Sequence, residues 1–312
     1  SVSKPLAAGF ALFGLLASSV GTPLVQSNTI AMSVNDAVLL FLPKAEQKTV
    51  CIIAGAATAA LVGIVILGGI QRIGKASEII VPFMAIGYIA ICIIVLSRFG
   101  SRILPAFRDI FSGALGIKQA VGGAAGFGAA RALRIGMARG VYSNEAGVGS
   151  APMAHACANT NDPVKQGMYG IFEVFADTIV MCTMTALVVL ASGIPLQAGG
   201  EISGTSIALR AFSTVLPERT TGIFLAVSML LFAYTSLLGW AVYGMQCAKY
   251  LFGKRAQLPF CILYTVLTFA GALMKVDFVW TAGETLNYLM AAPNMLALLV
   301  LNREVRRETA FA

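Results

Sequence analysis

Residues 131–158 read RALRIGMARGVYSNEAGVGSAPMAHACA, the one long polar, small-residue block in an otherwise apolar chain. Arg131, Arg134 and Arg139 precede Asn144 and Glu145; Gly147, Gly149 and Ser150 then lead to His155, the only histidine. The two glycines do not make a phosphate loop, because no Gly-Lys-Ser/Thr follows and no strand precedes. Glu145 and a single histidine lack the number and spacing of a zinc-protease site. On its residues alone the block reads as a cytoplasmic loop with a short helix, capped by Ser150, carrying Pro152 in its first turn and ending near Asn159. What flanks the block decides the fold.

With 58% hydrophobic and 12% charged residues over 312 positions, and a mean hydropathy of +0.83, the chain cannot cover a soluble globule with polar surface. It reads as an all-α polytopic membrane protein whose main partner is the lipid bilayer. The formal charge of +8 sits in short connections between apolar runs, where it orients helices, so no nucleic acid is needed to explain it. The six cysteines form no CxxC pair and lie mostly in apolar runs, as small buried hydrophobes do. The chain opens Ser-Val-Ser-Lys with no charged leader and no cleavage site, so its first apolar run is not a signal peptide and further sequence is expected upstream.

At roughly 20 apolar residues per crossing, eight transmembrane helices are expected: 5–32, 50–70, 79–96, 110–138, 163–191, 220–251, 258–274 and 280–301. An even number places both ends on one side. Thirteen Lys and Arg then share that side against nine on the other, which predicts cytoplasmic termini. GGIQRIGK is expected to be a tight basic turn between the second and third spans. The connection 192–219 is expected to be an external loop with one amphipathic helix. No low-complexity linker divides the chain, which reads as a single membrane domain over 1–312.

Polar groups inside these spans are the candidate functional residues. In the first, Gln26, Ser27 and Asn28 follow Gly21, Thr22 and Pro23 and should face the protein interior or a wet cavity. In the fourth, QAVGGAAGFGAA crowds Gly122, Gly123, Gly126 and Gly128 into one window. Such a cluster serves close helix packing, or it breaks the helix and frees backbone groups for a carboxylate or a small cation. The fifth span starts with Asp162 as cap and Pro163 behind it, and carries Glu173 and Asp177 four residues apart on one face. Those carboxylates bind a proton or cation, or pair with the arginines of the central block. In the sixth, Thr235 and Ser236 either bond back to a carbonyl one turn earlier or ligate a hard cation through oxygen, with Trp240 one turn on. The eighth carries Glu284, Asn287 and Asn294, and Pro293 should kink it. No nucleophile, base and orienting group fall at a recognisable spacing, so an enzyme is not expected.

The string ARGVYSNEAGVGSAPMAHA, followed by DPVKQGMYGIFEVFADTIVMCTMTALVVL, closely resembles the alanine/glycine:cation symporter family. Further similarity at GGIQRIGK, LFAYTSLLGWAVYG, KYLFGK and NYLMAAPNMLALLVL carries the resemblance over nearly the whole chain. It implies a fold of two inverted five-helix repeats, with 1–105 the remainder of the first repeat and 106–312 the second. It implies that the fourth span is the broken helix of the second repeat, with Gly122, Gly123 and Phe127 at the substrate. By the same resemblance Gln26 reaches the substrate, Trp240 stands beside the pocket, and Thr235 and Ser236 supply oxygens to sodium, the coupling ion, with no other cofactor. Arg139, Asn144, Glu145, Gly147, Glu173 and Asp177 are then gating or structural positions. The family commonly shows Gly-Gly-Phe at the break, whereas here Ala124 follows Gly123 and Phe127 comes three residues later. The implied function is sodium-coupled symport of a small neutral amino acid, alanine or glycine, at the cell membrane. Proton coupling through Glu173, Asp177 or Glu145, or a purely structural membrane role, are the alternatives.

Overall fold

A computed structural model describes residues 3–114, 125–145, 147–195 and 204–310. Among the described residues every regular element is helical, and six helical rods are long and apolar enough to cross a membrane: Lys4–Leu39, Gln47–Ile66, Ile70–Ser97, Pro163–Ser192, Glu218–Phe252 and Phe278–Thr309. The eight expected spans are thus six on this measure. The helix at 257–271 has only 15 residues, and the expected span 110–138 falls on two helices, Gly100–Ala114 and Ala125–Ser143. The chain divides into two compact units, each assembled from separated segments.

The first unit comprises Ser1–Met84, Gly147–Ile171 and Ala226–Ala312. It opens with α1 (Lys4–Leu16), a π-helical turn (Ala17–Gly21) and α2 (Thr22–Leu39) in one rod. The π turn has a chemical cause. Pro23 has no N–H to give to the carbonyl four residues earlier, so the ladder widens there and the Thr22 N–H reaches back five residues to Ala17 O. The Ser18 and Ser19 hydroxyls also reach back, donating to Gly14 O at 2.7 Å and Leu15 O at 2.6 Å. Packing around this rod relies on small residues, the usual device where lipid removes any hydrophobic drive between helices. α3 (Gln47–Ile66) and α12 (Gln257–Gly271) pack on α2 and on each other. A Cβ on Gly271 would stand 2.6 Å from the Leu24 backbone, and one on Gly55 2.6 Å from Ala272. Asn28 is buried and donates to both Gly271 O and Met274 O, which caps the end of α12. Tyr264, fully buried, donates to Leu237 O at 2.6 Å within a core that includes Ile30 and Val62.

GGIQRIGK is only partly a turn. The chain reverses over 67–69, with Gly69 at φ 78°, and α4 (Ile70–Ser97) already contains the rest. The Asp162 expectation holds: its Oδ1 accepts from the backbone of Val164 and Lys165 at 3.0 Å and starts α8 (Pro163–Val174). Ser150 does not cap. It lies in helical geometry without a side-chain cap bond, and α7 (Ala151–His155) ends before Asn159.

The second unit comprises Ala85–Ala146 and Phe172–Leu225. Here α5 (Gly100–Ala114) packs on α6 (Ala125–Ser143) and on α9 (Thr183–Ser192), which follows a second π-helical segment (Phe175–Cys182) and packs on α10 (Gly204–Phe212). α10 is the one helix described in the connection 192–219. α9 ends on Gly193 in the left-handed conformation, and Arg102 donates to Ala191 O at 3.3 Å, a cation at a helix C-terminus. Tyr88 lies 6.1 Å from the Phe224 ring and 6.2 Å from Phe212, and its hydroxyl pairs with Thr185 at 2.8 Å.

The expected break in the glycine window does not extend to its second half. Gly126 and Gly128 lie inside α6, and Gly122 and Gly123 lie outside the described residues. The alanines, leucine, arginines and methionine of α6 are strong helix formers and offset the penalty of its glycines. The described backbone unwinds later, between Ser143 and Ala151.

Candidate functional site

The unwound stretch owes its path to three residues with positive φ: Glu145 at 49°, Gly147 at 73° and Gly149 at 89°. Glycine takes such angles freely, whereas Glu145 stands in a region few bulky residues enter. Alternation of these angles cannot continue a right-handed helix. In a membrane-spanning protein, unwound backbone must find partners or line a cavity.

In the first unit, Gly147–Ser150 lies against α13 (Val276–Ala310) and α11 (Glu218–Phe252). Asn294 Nδ2 donates to Gly147 O at 2.9 Å. A Cβ on Gly149 would meet Asn294 Cγ at 2.6 Å and Phe10 Cε2 at 2.9 Å, and one on Gly147 would meet Met295 Sδ at 2.8 Å. Both positions therefore need glycine for angle, and Gly149 needs it for space as well, whereas Met295 beside Gly147 is a flexible, exposed side chain. Between them Val148 is buried in a cluster with Ala17, Trp240 and Met290. Trp240 is itself buried and stands edge-on to Tyr243 at 5.4 Å. Gly283, Asn287, Met290 and Asn294 recur at steps of four, three and four, so α13 presents one stripe. Its Gly283 lies against Gly21 beside the π turn, and Asn294 lies against Gly147 and Gly149.

Of the residues expected at a site, Trp240 is the one brought onto this stretch, through Val148. Asn294, one of the polar groups noted in the last span, joins it here, as do Phe10 and Met290, which the sequence did not single out. The signal for Asn294 was an amide in an apolar span directly after Pro293. Gln26 is half-buried on α2. Thr235 Oγ1 donates back to Leu231 O at 3.1 Å and Phe232 O at 2.9 Å, and Ser236 beside it is half-buried.

In the second unit, the end of α6 is held by the π-helical segment. Ser143 Oγ donates to Asp177 Oδ2 at 2.9 Å, and Thr178 Oγ1 donates to Asn144 Oδ1 at 2.6 Å. Asn144 Nδ2 in turn donates to Gly140 O at 3.1 Å, so one amide closes the last turn of α6 and receives the neighbouring helix. Asp177 is half-buried with Ser143 on it, whereas Glu173, one turn earlier, is exposed. Arg139 is an exposed residue of α6, and Phe127 belongs to the same helix. Among the described residues no group of three or more His, Cys, Asp or Glu is placed to hold a metal.

Six apolar rods, each long enough to cross a bilayer, define a polytopic all-helical membrane protein. The sodium:alanine symporter family matches residues 2–310, and the chain belongs to that family, one of transporters and not of enzymes. The sodium/alanine symporter AgcS of Methanococcus maripaludis is 38% identical over 311 residues, 99% of this chain and 65% of its own length. The probable sodium/glutamine symporter GlnT of Bacillus subtilis is 34% identical, over 94% of this chain and 57% of its own length. The putative sodium/proton-dependent alanine carrier protein YrbD of the same organism is 31% identical, over 94% and 60%. The chain thus spans roughly three-fifths of the length of the curated relatives it matches.

Proposed function

We propose that this protein acts in sodium-coupled symport of a small neutral amino acid, alanine or glycine, by alternating access within a fold of two inverted five-helix repeats, 1–105 belonging to the first and 106–312 to the second. The observation that carries the reading is family membership over residues 2–310, together with a relative named as a sodium/alanine symporter at 38% identity. The relative named for glutamine widens the substrate test to that amino acid. Both termini are cytoplasmic in this reading.

Gln26 and Trp240 contact the substrate in this account, with Gly122, Gly123 and Phe127 on the same path. Unwound backbone at Gly147 and its neighbours supplies N–H and carbonyl groups where a helix would have consumed them. Thr235 and Ser236 ligate sodium. The Thr235 hydroxyl donates its proton back along the helix, which leaves oxygen lone pairs to face a cation. Arg139, Asn144, Glu145, Glu173 and Asp177 set the geometry around the break and do not touch the substrate. Coupling requires that sodium favour the substrate-binding state, since an ion bound equally by both states shifts nothing.

Labelled alanine uptake into transport-deficient cells, with sodium or potassium outside, tests this in the longest reading frame that contains these residues. Sodium-driven uptake is expected; its absence for alanine, glycine and glutamine in a well-inserted protein would overturn the reading. Proton coupling is the second reading, and the relative named sodium/proton-dependent favours keeping it. It predicts uptake that follows pH, is indifferent to sodium, and is abolished by Asp177→Asn.

A further inference from the structure

Four helix ends meet at one place in the first unit. α3 stops at Ile66 and the chain reverses over 67–69 into α4, while α11 stops at Phe252 and the 3-10 turn Lys254–Ala256 leads into α12. A cavity of about 430 Å³ opens between them, a volume typical of small-molecule sites. Its walls include the buried Met245 and Cys261, the exposed Leu67 and Leu258, and the amides of Gln71 and Gln257. Cations border it from two sides. Arg72 folds back over Gly68, a wall residue, where a Cβ would collide with the arginine Cδ, and its Nη1 donates to Ile64 O at 3.1 Å. That bond uses one of five guanidinium donors, and the side chain remains exposed. Lys254 and Arg255, also exposed, lie just before Gln257. No Asp or Glu occurs in 47–77 or 219–276, so these cations have no acid on their own segments.

Two exposed apolar rows run from the cavity along the helices that flank it: Leu61, Ile64 and Leu67 on α3, and Leu258, Ile262 and Val266 on α12. Gly63 lies against Thr265, so α3 and α12 run antiparallel side by side and the two rows cover the same depth. Such rows alone need only lipid tails. A cavity at their head, bordered by cations without acids, fits an anion carried on the same molecule as the tails. We propose that this cavity takes the headgroup of an anionic phospholipid, with its phosphate on Arg72, Lys254 and Arg255 and an acyl chain along the two rows. Arginine can give phosphate two parallel N–H bonds and lysine adds a point charge, while the amides of Gln71 and Gln257 suit the hydroxyls of a glycerol headgroup. The site does not depend on the symport reading, because none of its residues is assigned to substrate or sodium.

The test is native mass spectrometry of the longest reading frame, purified in detergent and given equal amounts of phosphatidylglycerol and phosphatidylcholine with the same acyl chains. The parent is expected to retain phosphatidylglycerol with roughly tenfold preference. Arg72→Gln, Lys254→Gln and Arg255→Gln together are expected to abolish that preference. Arg303→Gln, Arg306→Gln and Arg307→Gln, the same change of charge near the end of α13, are expected to keep it. No preference in the parent, a preference that survives the first triple variant, or an equal fall in both would overturn the site. Where the first triple variant does not fold, the unmodified protein decides by thermal unfolding. Short-chain phosphatidylglycerol is expected to raise its unfolding temperature by several degrees more than short-chain phosphatidylcholine or inorganic phosphate. Equal shifts with the two lipids, or the full shift with phosphate alone, would contradict a lipid site.

Discussion

Gly136 and Gly140 lie in α6, Gly147 and Gly149 a few residues later, and the two pairs behave oppositely. No neighbouring atom lies within 4 Å of a Cβ built on either glycine of the first pair, and both are helical. Each of the second pair has positive φ and a neighbour under 3.0 Å from where a Cβ would be. Glycine abundance therefore weakens a helix without ending it. The helix ends where a positive angle and a partner for the freed backbone coincide, here Glu145 at φ 49° and Asn144 Nδ2 on Gly140 O.

Substitutions can break or sharpen that contrast. The largest effect belongs to Gly149→Ala, which combines a strained angle with a 2.6 Å contact on Asn294 and is expected to lose about 3 kcal/mol of stability. Thermal unfolding in detergent reads this directly. Asn294→Leu comes next. It removes the donor to Gly147 O and leaves a carbonyl unpaired in a half-buried site, a loss of about 1–3 kcal/mol on the same assay. In the second unit, Asn144→Ala and Thr178→Val should each cost about 1 kcal/mol, and the double variant should cost less than their sum because they share the 2.6 Å bond. The smallest change is expected for Gly136→Ala, neutral or stabilising by up to about 1 kcal/mol, since a helical glycine in open space gains from a methyl group.

Much of this architecture is legible in the sequence. Apolar runs near 20 residues locate the six rods, and Asp162 with Pro163 marks the start of α8. Counting spans fails where length is the only ruler. The run at 257–271 is apolar but short, and 98–109 reads as polar connection yet forms much of α5. The unwinding after Ser143 is harder to read, because a count of glycines says nothing of their angles. Positive φ is a property of the folded backbone, and the sequence hints at it only through the alternation of Gly147 and Gly149 around Val148. Asn294 is visible as an amide in an apolar span, but what it holds stays hidden for a related reason. Its role depends on a bond to a residue 147 positions away, which no local pattern encodes. The π turn at Ala17–Gly21 is half legible, since Pro23 announces a missing donor but not how the ladder will widen around it.

The most direct test of the central claim is the initial rate of sodium-driven alanine uptake by Gly149→Ala and Gly136→Ala, made in the longest reading frame and normalised to inserted protein. Gly136→Ala is predicted to transport close to the parent rate while Gly149→Ala falls to background. Loss of uptake in Gly136→Ala with retention in Gly149→Ala would contradict this and place the working break in the glycine-rich helix.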